Sequence, residues 1–221
     1  TTAPTVTSFT MSDTALKSGE TATVTLVFSE AVSGFTSTAD ITLVNGTMPL
    51  MTSSDDITWT GTFTPPTDLT DTSNVLTLAN TWIDTAGNSG LTATTVNYAI
   101  DTTAPTVTSF TMSDTALKSG ETATVTLVFS EAVSGFSSNA DITVVNGTLS
   151  EMTSGDDINW AGTFTPTADI EAPSNTLILT ETSYTDTAGN AGPGATTANY
   201  AVDTSVPSAP TLAGPSLSNS T

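Results

Sequence analysis

Residues 1–35 recur without a single change as residues 102–136, an offset of 101. Whatever the first copy folds into, the second must fold into as well, so the chain is read as a tandem of one unit. The correspondence continues with substitutions beyond this block. Asp40 aligns with Asp141, Asn45-Gly46 with Asn146-Gly147, Asp55-Asp56 with Asp156-Asp157, Trp59 with Trp160 and Phe63 with Phe164. After an insertion near residue 180, Asp84-Thr-Ala-Gly-Asn88 aligns with Asp186-Thr-Ala-Gly-Asn190. The repeats are therefore 1–101 and 102–203. The exit Asp101-Thr-Thr-Ala-Pro105 returns as Asp203-Thr-Ser-Val-Pro207, which makes 204–221 a linker or the first strand of a truncated third repeat. Near-identical copies in series suit a spacing or mechanical element better than an enzyme.

Within each repeat the hydrophobic period is two. Ala22, Val24, Leu26 and Phe28 alternate with Thr23, Thr25 and Val27; Ile57, Trp59, Gly61 and Phe63 alternate with Thr; Val96, Tyr98 and Ile100 close the repeat. Further strand candidates are 6–11, 41–44, 47–52 and 75–78, with Asn45-Gly46 as a hairpin signal between two of them. Seven short strands in about 100 residues predict an all-β fold, two tandem immunoglobulin-like antiparallel β-sandwiches. Phe9, Phe28, Phe35, Trp59, Phe63, Trp82 and Tyr98 are the expected core of the first. Thr on alternate positions gives a solvated face with high β-propensity.

The chain has 22 acidic residues, two Lys, no His and no Cys, for a net charge of −20. The missing residues exclude zinc fingers, haem His ligation, Fe–S clusters and Ser-His-Asp or Cys-His catalysis. Without a basic face the chain cannot neutralise phosphates, so nucleic acid is not a partner, and an anionic membrane surface would repel it. No apolar run is long enough to span a bilayer, so direct membrane insertion is not expected. The first residues, Thr1-Thr-Ala-Pro4, do not read as a signal peptide, and the chain is read as a piece of something longer. What an oxygen-rich, acidic surface does attract is a hard cation.

The Asp-Thr-Thr-Ala-Pro linker, the Gly19-Glu-Thr-Ala-Thr-Val run, the Phe28-Ser-Glu-Ala-Val32 corner, Asn45-Gly46 and Asp84-Thr-Ala-Gly-Asn88 resemble the bacterial Ig-like repeats of giant surface adhesins. These are the biofilm-associated and RTX-type adhesins exported by type I secretion. The resemblance covers 1–203. It implies long arrays, secretion to the bacterial cell surface, neighbouring repeats of the same chain as partners, and calcium at or near the junctions that stiffens the array. No glycine-rich nonapeptide calcium repeat occurs in this stretch.

Strand direction places Glu30, Asp55, Asp56, Asp84 and Asn88 at the entry pole of the first repeat, and Asp101 at its exit. Glu131, Asp156, Asp157, Asp186 and Asn190 occupy the entry pole of the second. Carboxylates gathered at one pole repel one another unless a cation sits among them. Calcium takes 6–8 oxygen ligands in flexible geometry. The expected site is Asp101, Glu131, Asp186 and one of Asp156 and Asp157, completed by Asn190 or carbonyls. Glu30, Asp55, Asp56 and Asp84 would form a weaker or incomplete one. The plainer alternatives are an Asx-turn at Asp84, with Gly87 at positive φ, and solvated loop tips at Asp55-Asp56. Asp55-Asp56 is a poor glycosidase pair, because adjacent residues point apart. Lys17 and Lys118, beside Ser-Gly turns, are expected to be solvated. Asn45, Asn146 and Asn219 match the glycosylation pattern, although the first two are already assigned to turns. Two other functions compete with a calcium-stiffened extender: a glycan- or receptor-binding module, with Trp82 and Tyr184 as the candidate aromatic platform, and a self-associating filament or layer subunit pairing through strand edges or 204–221.

Overall fold

The computed structural model describes residues 2–210. It divides into two compact units. Unit 1 comprises Thr1–Thr106 together with Ser130–Gly135 and Glu181–Pro193; unit 2 comprises Val107–Phe129, Phe136–Thr180 and the chain from Gly194 onward. The compact units thus do not follow the sequence repeats, since two loops of the second repeat belong to unit 1.

In unit 1 the strands are β1 (Val6–Met11), β2 (Ala15–Lys17), β3 (Ala22–Phe28), β4 (Val32–Ser33), β5 (Ile41–Thr42), β6 (Thr58–Phe63), β7 (Thr70–Asn74), β8 (Thr77–Leu78), β9 (Ile83–Asp84), β10 (Ala93–Thr94) and β11 (Tyr98–Asp101). One sheet is β1-β3-β6. The other strands pair as β5-β8-β10 and β2-β11-β7, and the Thr95 N–H donates to the Leu76 carbonyl at 3.1 Å where the two sets meet. β3 shows how the alternation works: Ala22, Val24, Leu26 and Phe28 are buried and Thr23 is exposed. These residues join Phe63, Leu76, Leu78, Trp82, Tyr98 and Ile100 in one core. Removing that apolar area from water is the main drive for folding. β2 runs parallel to β11, setting Lys17 opposite Asp101. Val133–Ser134 pairs with Thr185–Asp186 in this unit, just as β4 pairs with β9.

Unit 2 repeats the plan. Val107–Met112, Ala123–Phe129, Asn159–Pro166 and Gly147–Leu149 form one sheet. Ala116–Lys118, Tyr200–Asp203 and Glu171–Asn175 form another, with the first pair parallel. The all-β, tandem Ig-like expectation is met.

Two local expectations are corrected and a third feature is added. Asn45-Gly46 is not a hairpin turn, because the strands on either side go to different sheets: β5 pairs with β8, whereas Thr47 bridges to Thr64 beside β6. The Asn-Gly signal instead serves a crossing. Asn45 sits at φ 54 and its amide donates to Asp71 and Asn74 at 2.8 Å each, while a Cβ on Gly46 would lie 2.1 Å from the Phe63 ring. Second, 47–52 is no continuous strand in the first repeat. It reduces to bridges at Thr47 and Thr52, since Met48 and Met51, three apart, are both buried. A straight strand cannot turn residues of odd spacing to the same face. Third, Ser37–Asp40 and Ser138–Asp141 form single helical turns, where Asp40 and Asp141 accept the Thr36 and Ser137 N–H at 2.7 Å. Residues 204–210 contain no strand, and 211–221 lie outside the described residues.

Candidate metal centre and the turn that builds it

The Asp-Thr-Ala-Gly-Asn motif folds as a turn organised by its own aspartate. In the first repeat Asp84 is buried, and its Oδ1 accepts the N–H of Ala86 and Asn88 at 2.8 Å each. The Asn88 amide donates to Oδ2 at 2.6 Å, and Gly87 takes φ 85. Hydrogen bonds to the Asn88 side chain and then its N–H hold the Asp84 carboxyl below the usual range. The same turn recurs at Asp186, whose Oδ1 accepts the N–H of Gly189 at 2.7 Å and of Asn190 at 2.8 Å, and whose Oδ2 accepts the Asn190 amide at 2.7 Å. The Asx-turn reading therefore describes both motifs. It does not exhaust the second, because an ionised carboxylate has about four acceptor sites.

Asp101, Glu131 and Asp186 come together in unit 1: one carboxylate oxygen from each lies within 4.8 Å of the others. Asp101 is fixed at the end of β11, with its Oδ1 accepting the Thr70 hydroxyl at 3.0 Å and the Thr103 N–H at 3.3 Å. Burial first, and then the charges of Asp186 and Asp101, push the Glu131 carboxyl up. That is the signature of an acidic cluster short of positive charge. The donors are all hard oxygens, the chemistry that suits calcium.

The remaining candidates are placed differently. Asn190 lies beside the cluster but spends its side chain on the protein. Its amide donates to the carbonyls of Asp101 at 2.9 Å and Thr103 at 3.3 Å as well as to Asp186, and its Oδ1 accepts the Ser18 N–H at 2.8 Å. Asp156 and Asp157 belong to unit 2. Asp156 is an exposed turn organiser: the Asn159 N–H and side chain, then Ile158 and Ser154, hold its carboxyl far below the usual range. Asp55 does the same with Thr58, Ile57 and Ser53. Asp56 and Asp157 take φ 55 and 57, and the Asp56 carbonyl accepts the Val32 N–H. Glu30 is exposed. Among the described residues, Glu30, Asp55, Asp56 and Asp84 are not gathered into a group of three.

Ser18 is the residue that sequence reasoning missed. A serine in a Ser-Gly turn carries no chemical signal, and its contribution here is a backbone N–H. Trp82 and Tyr184 are not a platform: both are buried, at 0% and 1% exposure. The Asn45 amide donates to Asp71 and Asn74 and the Asn146 amide to Asn175, so both side chains are engaged within the turn. Asn219 lies outside the described residues. Among the described residues, no helix is long and apolar enough to cross a membrane.

With this geometry in view, the profile of the bacterial Ig-like domain matches the chain twice, at residues 1–100 and 101–202. The chain belongs to the bacterial Ig-like domain family. A tandem Ig-like fold is typical of non-catalytic structural or adhesion modules. No curated protein matches the chain. Among solved structures, the Escherichia coli adhesin FdeC aligns at 18% identity over 90% of this chain and 63% of its own, with a TM-score of 0.37. A three-domain Ig stretch of titin aligns at 11% identity over 91% of this chain and 66% of its own, with a TM-score of 0.45. The N-terminal part of the bacterial S-layer protein SbsC aligns at 17% identity over 91% and 44%, with a TM-score of 0.27. This bacterial Ig-like pair therefore spans less than two thirds of each of these chains.

Proposed function

We propose that the two bacterial Ig-like repeats are non-catalytic extender modules in the stalk of a large surface adhesin of the secreted, biofilm-associated RTX type. Calcium held by Asp101, Glu131 and Asp186 rigidifies the array. One observation carries the reading: the last residue of the first repeat and two residues of the second bring three carboxylate oxygens within 4.8 Å. An ion shared by carboxylates from both repeats ties the two together. Membership in a family of structural modules and the near-identity of the copies support a spacing role. The ion supplies charge neutralisation only. The chain's part is to position the oxygens, through the Asp186 turn and the end of β11.

The test is isothermal calorimetry and thermal melting in chelator and in calcium. We expect calcium uptake with a rise in Tm. Glu131→Gln and Asp186→Asn should each weaken binding by at least about tenfold, because losing one charged ligand removes more than about 1.4 kcal/mol. No calcium uptake and an unchanged Tm would reject the site.

A further inference from the structure

We infer that Asn146-Gly147 is a site of spontaneous deamidation, and that Asp71 shields the same dipeptide in the first repeat. The tetrapeptide Val-Asn-Gly-Thr occurs twice, at 44–47 and 145–148. Its intrinsic chemistry is equal in the two copies, so a difference in rate must come from the fold. Asn is a thermolabile residue, and a following Gly has no side chain to crowd the attack of its backbone nitrogen. That nitrogen bonds to the asparagine Cγ, the Cγ–Nδ2 bond breaks, and the amide leaves as ammonia with the proton of the glycine N–H. Water then opens the succinimide at either carbonyl, giving aspartate or isoaspartate.

Before the ring can close, the leaving amide must be released from whatever holds it. Both asparagines sit at φ 54. The Asn45 amide donates to Asp71 Oδ2 and Asn74 Oδ1 at 2.8 Å each, and Asn45 is half-buried. The Asn146 amide donates to Asn175 Oδ1 at 2.7 Å, and Asn146 is exposed. The missing tie has a plain cause: Ala172 stands where the first repeat has Asp71. A hydrogen bond to a carboxylate is about twice as strong as one between neutral groups, so Asp71 is the stronger of the two holds on Asn45. One difference runs the other way. The Asn146 carbonyl accepts the Thr167 N–H at 3.0 Å, and Pro66, at the matching position, has no N–H to give. That bond is neutral and steadies the peptide unit, not the leaving amide, so the Asp71 tie outweighs it.

The product does not fit the second repeat. Asn175 is 5% exposed, and its amide donates to the Ala172 and Tyr200 carbonyls at 2.9 and 3.1 Å, which fixes its Oδ1 toward residue 146. Aspartate at 146 would set an acceptor against that acceptor. Isoaspartate would add a backbone atom next to Gly147, where a Cβ would already stand 2.2 Å from the Phe164 ring. Deamidation thus loosens the second repeat from this loop while the first keeps its own. It needs no ion and stands apart from the calcium reading.

The experiment ages the full chain in chelator at mildly alkaline pH and maps peptides by mass after acid digestion. The sequences flanking the two tetrapeptides differ, so each site is read separately. We expect Asn146 to convert at least about tenfold faster than Asn45 in the folded chain, and the two rates to converge in urea. Asp71→Ala should raise the rate at Asn45 toward that at Asn146. Ala172→Asp should slow Asn146, and it decides the matter where Asp71→Ala unfolds the first repeat. Equal rates at the two sites of the folded chain would overturn the inference. So would an Asn146 that stays unconverted while the urea-unfolded chain deamidates, or an Ala172→Asp chain that melts as the wild type and deamidates at the same rate.

Discussion

Two carboxylates in this chain respond to acid in opposite senses, and the reason lies in what each one faces. Asp156 faces donors: the N–H groups of Ile158 and Asn159, the Asn159 amide and the Ser154 hydroxyl. Its folded pKa is lowered, so the unfolded state binds the proton more readily. Its contribution to stability is present above the ordinary aspartate value and is lost as pH falls below it. Glu131 faces two carboxylates in a partly buried setting, and its folded pKa is raised. Here the native state holds a proton that the unfolded state has shed. Stability therefore declines as pH rises from the ordinary glutamate value through the raised one. Melting in chelator across that window should show this decline, and Glu131→Gln should flatten it. Saturating calcium should reverse the slope, because the ion competes with the proton for the same oxygens. A slope in chelator that Glu131→Gln leaves unchanged would reject this account. Sequence alone could place Asp101, Glu131 and Asp186 in the expected site from strand direction and charge. It could not separate them from Asp156, because the difference lies in which donors each loop turns toward its carboxylate.

At the scale of elements, the long strands were legible and the short ones were not. Ala22–Phe28 and Thr58–Phe63 advertise themselves through alternation, because the first has one buried face and the second one half-buried face. Thr70–Asn74 does not: its inward residue is Asn74, 2% exposed, which satisfies itself by donating to the Asp71 and Tyr98 carbonyls. A polar residue bonded in the core looks from sequence like a loop. The Asn-Gly pair is the instructive misreading, since the glycine is demanded by packing and not by a hairpin. Its counterpart Gly147 repeats the contact, with a Cβ at 2.2 Å from Phe164. Gly46→Ala should therefore destabilise by about 1–3 kcal/mol through overpacking. Gly155→Ala, where a Cβ would meet nothing within 4 Å and φ is not positive, is the matched control and should stay within about 0.5 kcal/mol. Chemical denaturation of the two variants distinguishes them. Equal stabilities would mean that Phe63 moves aside freely and that the glycine has some other cause.

For the whole molecule the governing quantity is 22 acidic residues against two Lys. Much of that charge is one acidic set written twice and carried in turns, while the strand faces are neutral Thr. Several of these carboxylates, such as Asp55, Asp84 and Asp156, are spent locally on turn N–H groups, and among the described residues Asp101, Glu131 and Asp186 are brought together. Generic screening and specific binding should therefore separate. Exposed, dispersed charges are screened by salt over about 8–10 Å at physiological to moderate ionic strength, so monovalent salt should relieve their repulsion without choosing a particular arrangement of the chain. An ion that bridges carboxylates from both repeats does choose one. Small-angle scattering on the full chain at fixed ionic strength should then give a longer and narrower distribution of distances in calcium than in chelator. Replacing calcium by an equal ionic strength of sodium should not reproduce the change. Asp101→Asn should abolish the calcium effect while leaving the sodium response intact, because it removes one of the three carboxylates and none of the core. If sodium and calcium act alike, the acidic set is a general coat and not a ligand set, and the mechanical role proposed for the ion fails even if the modules serve as spacers.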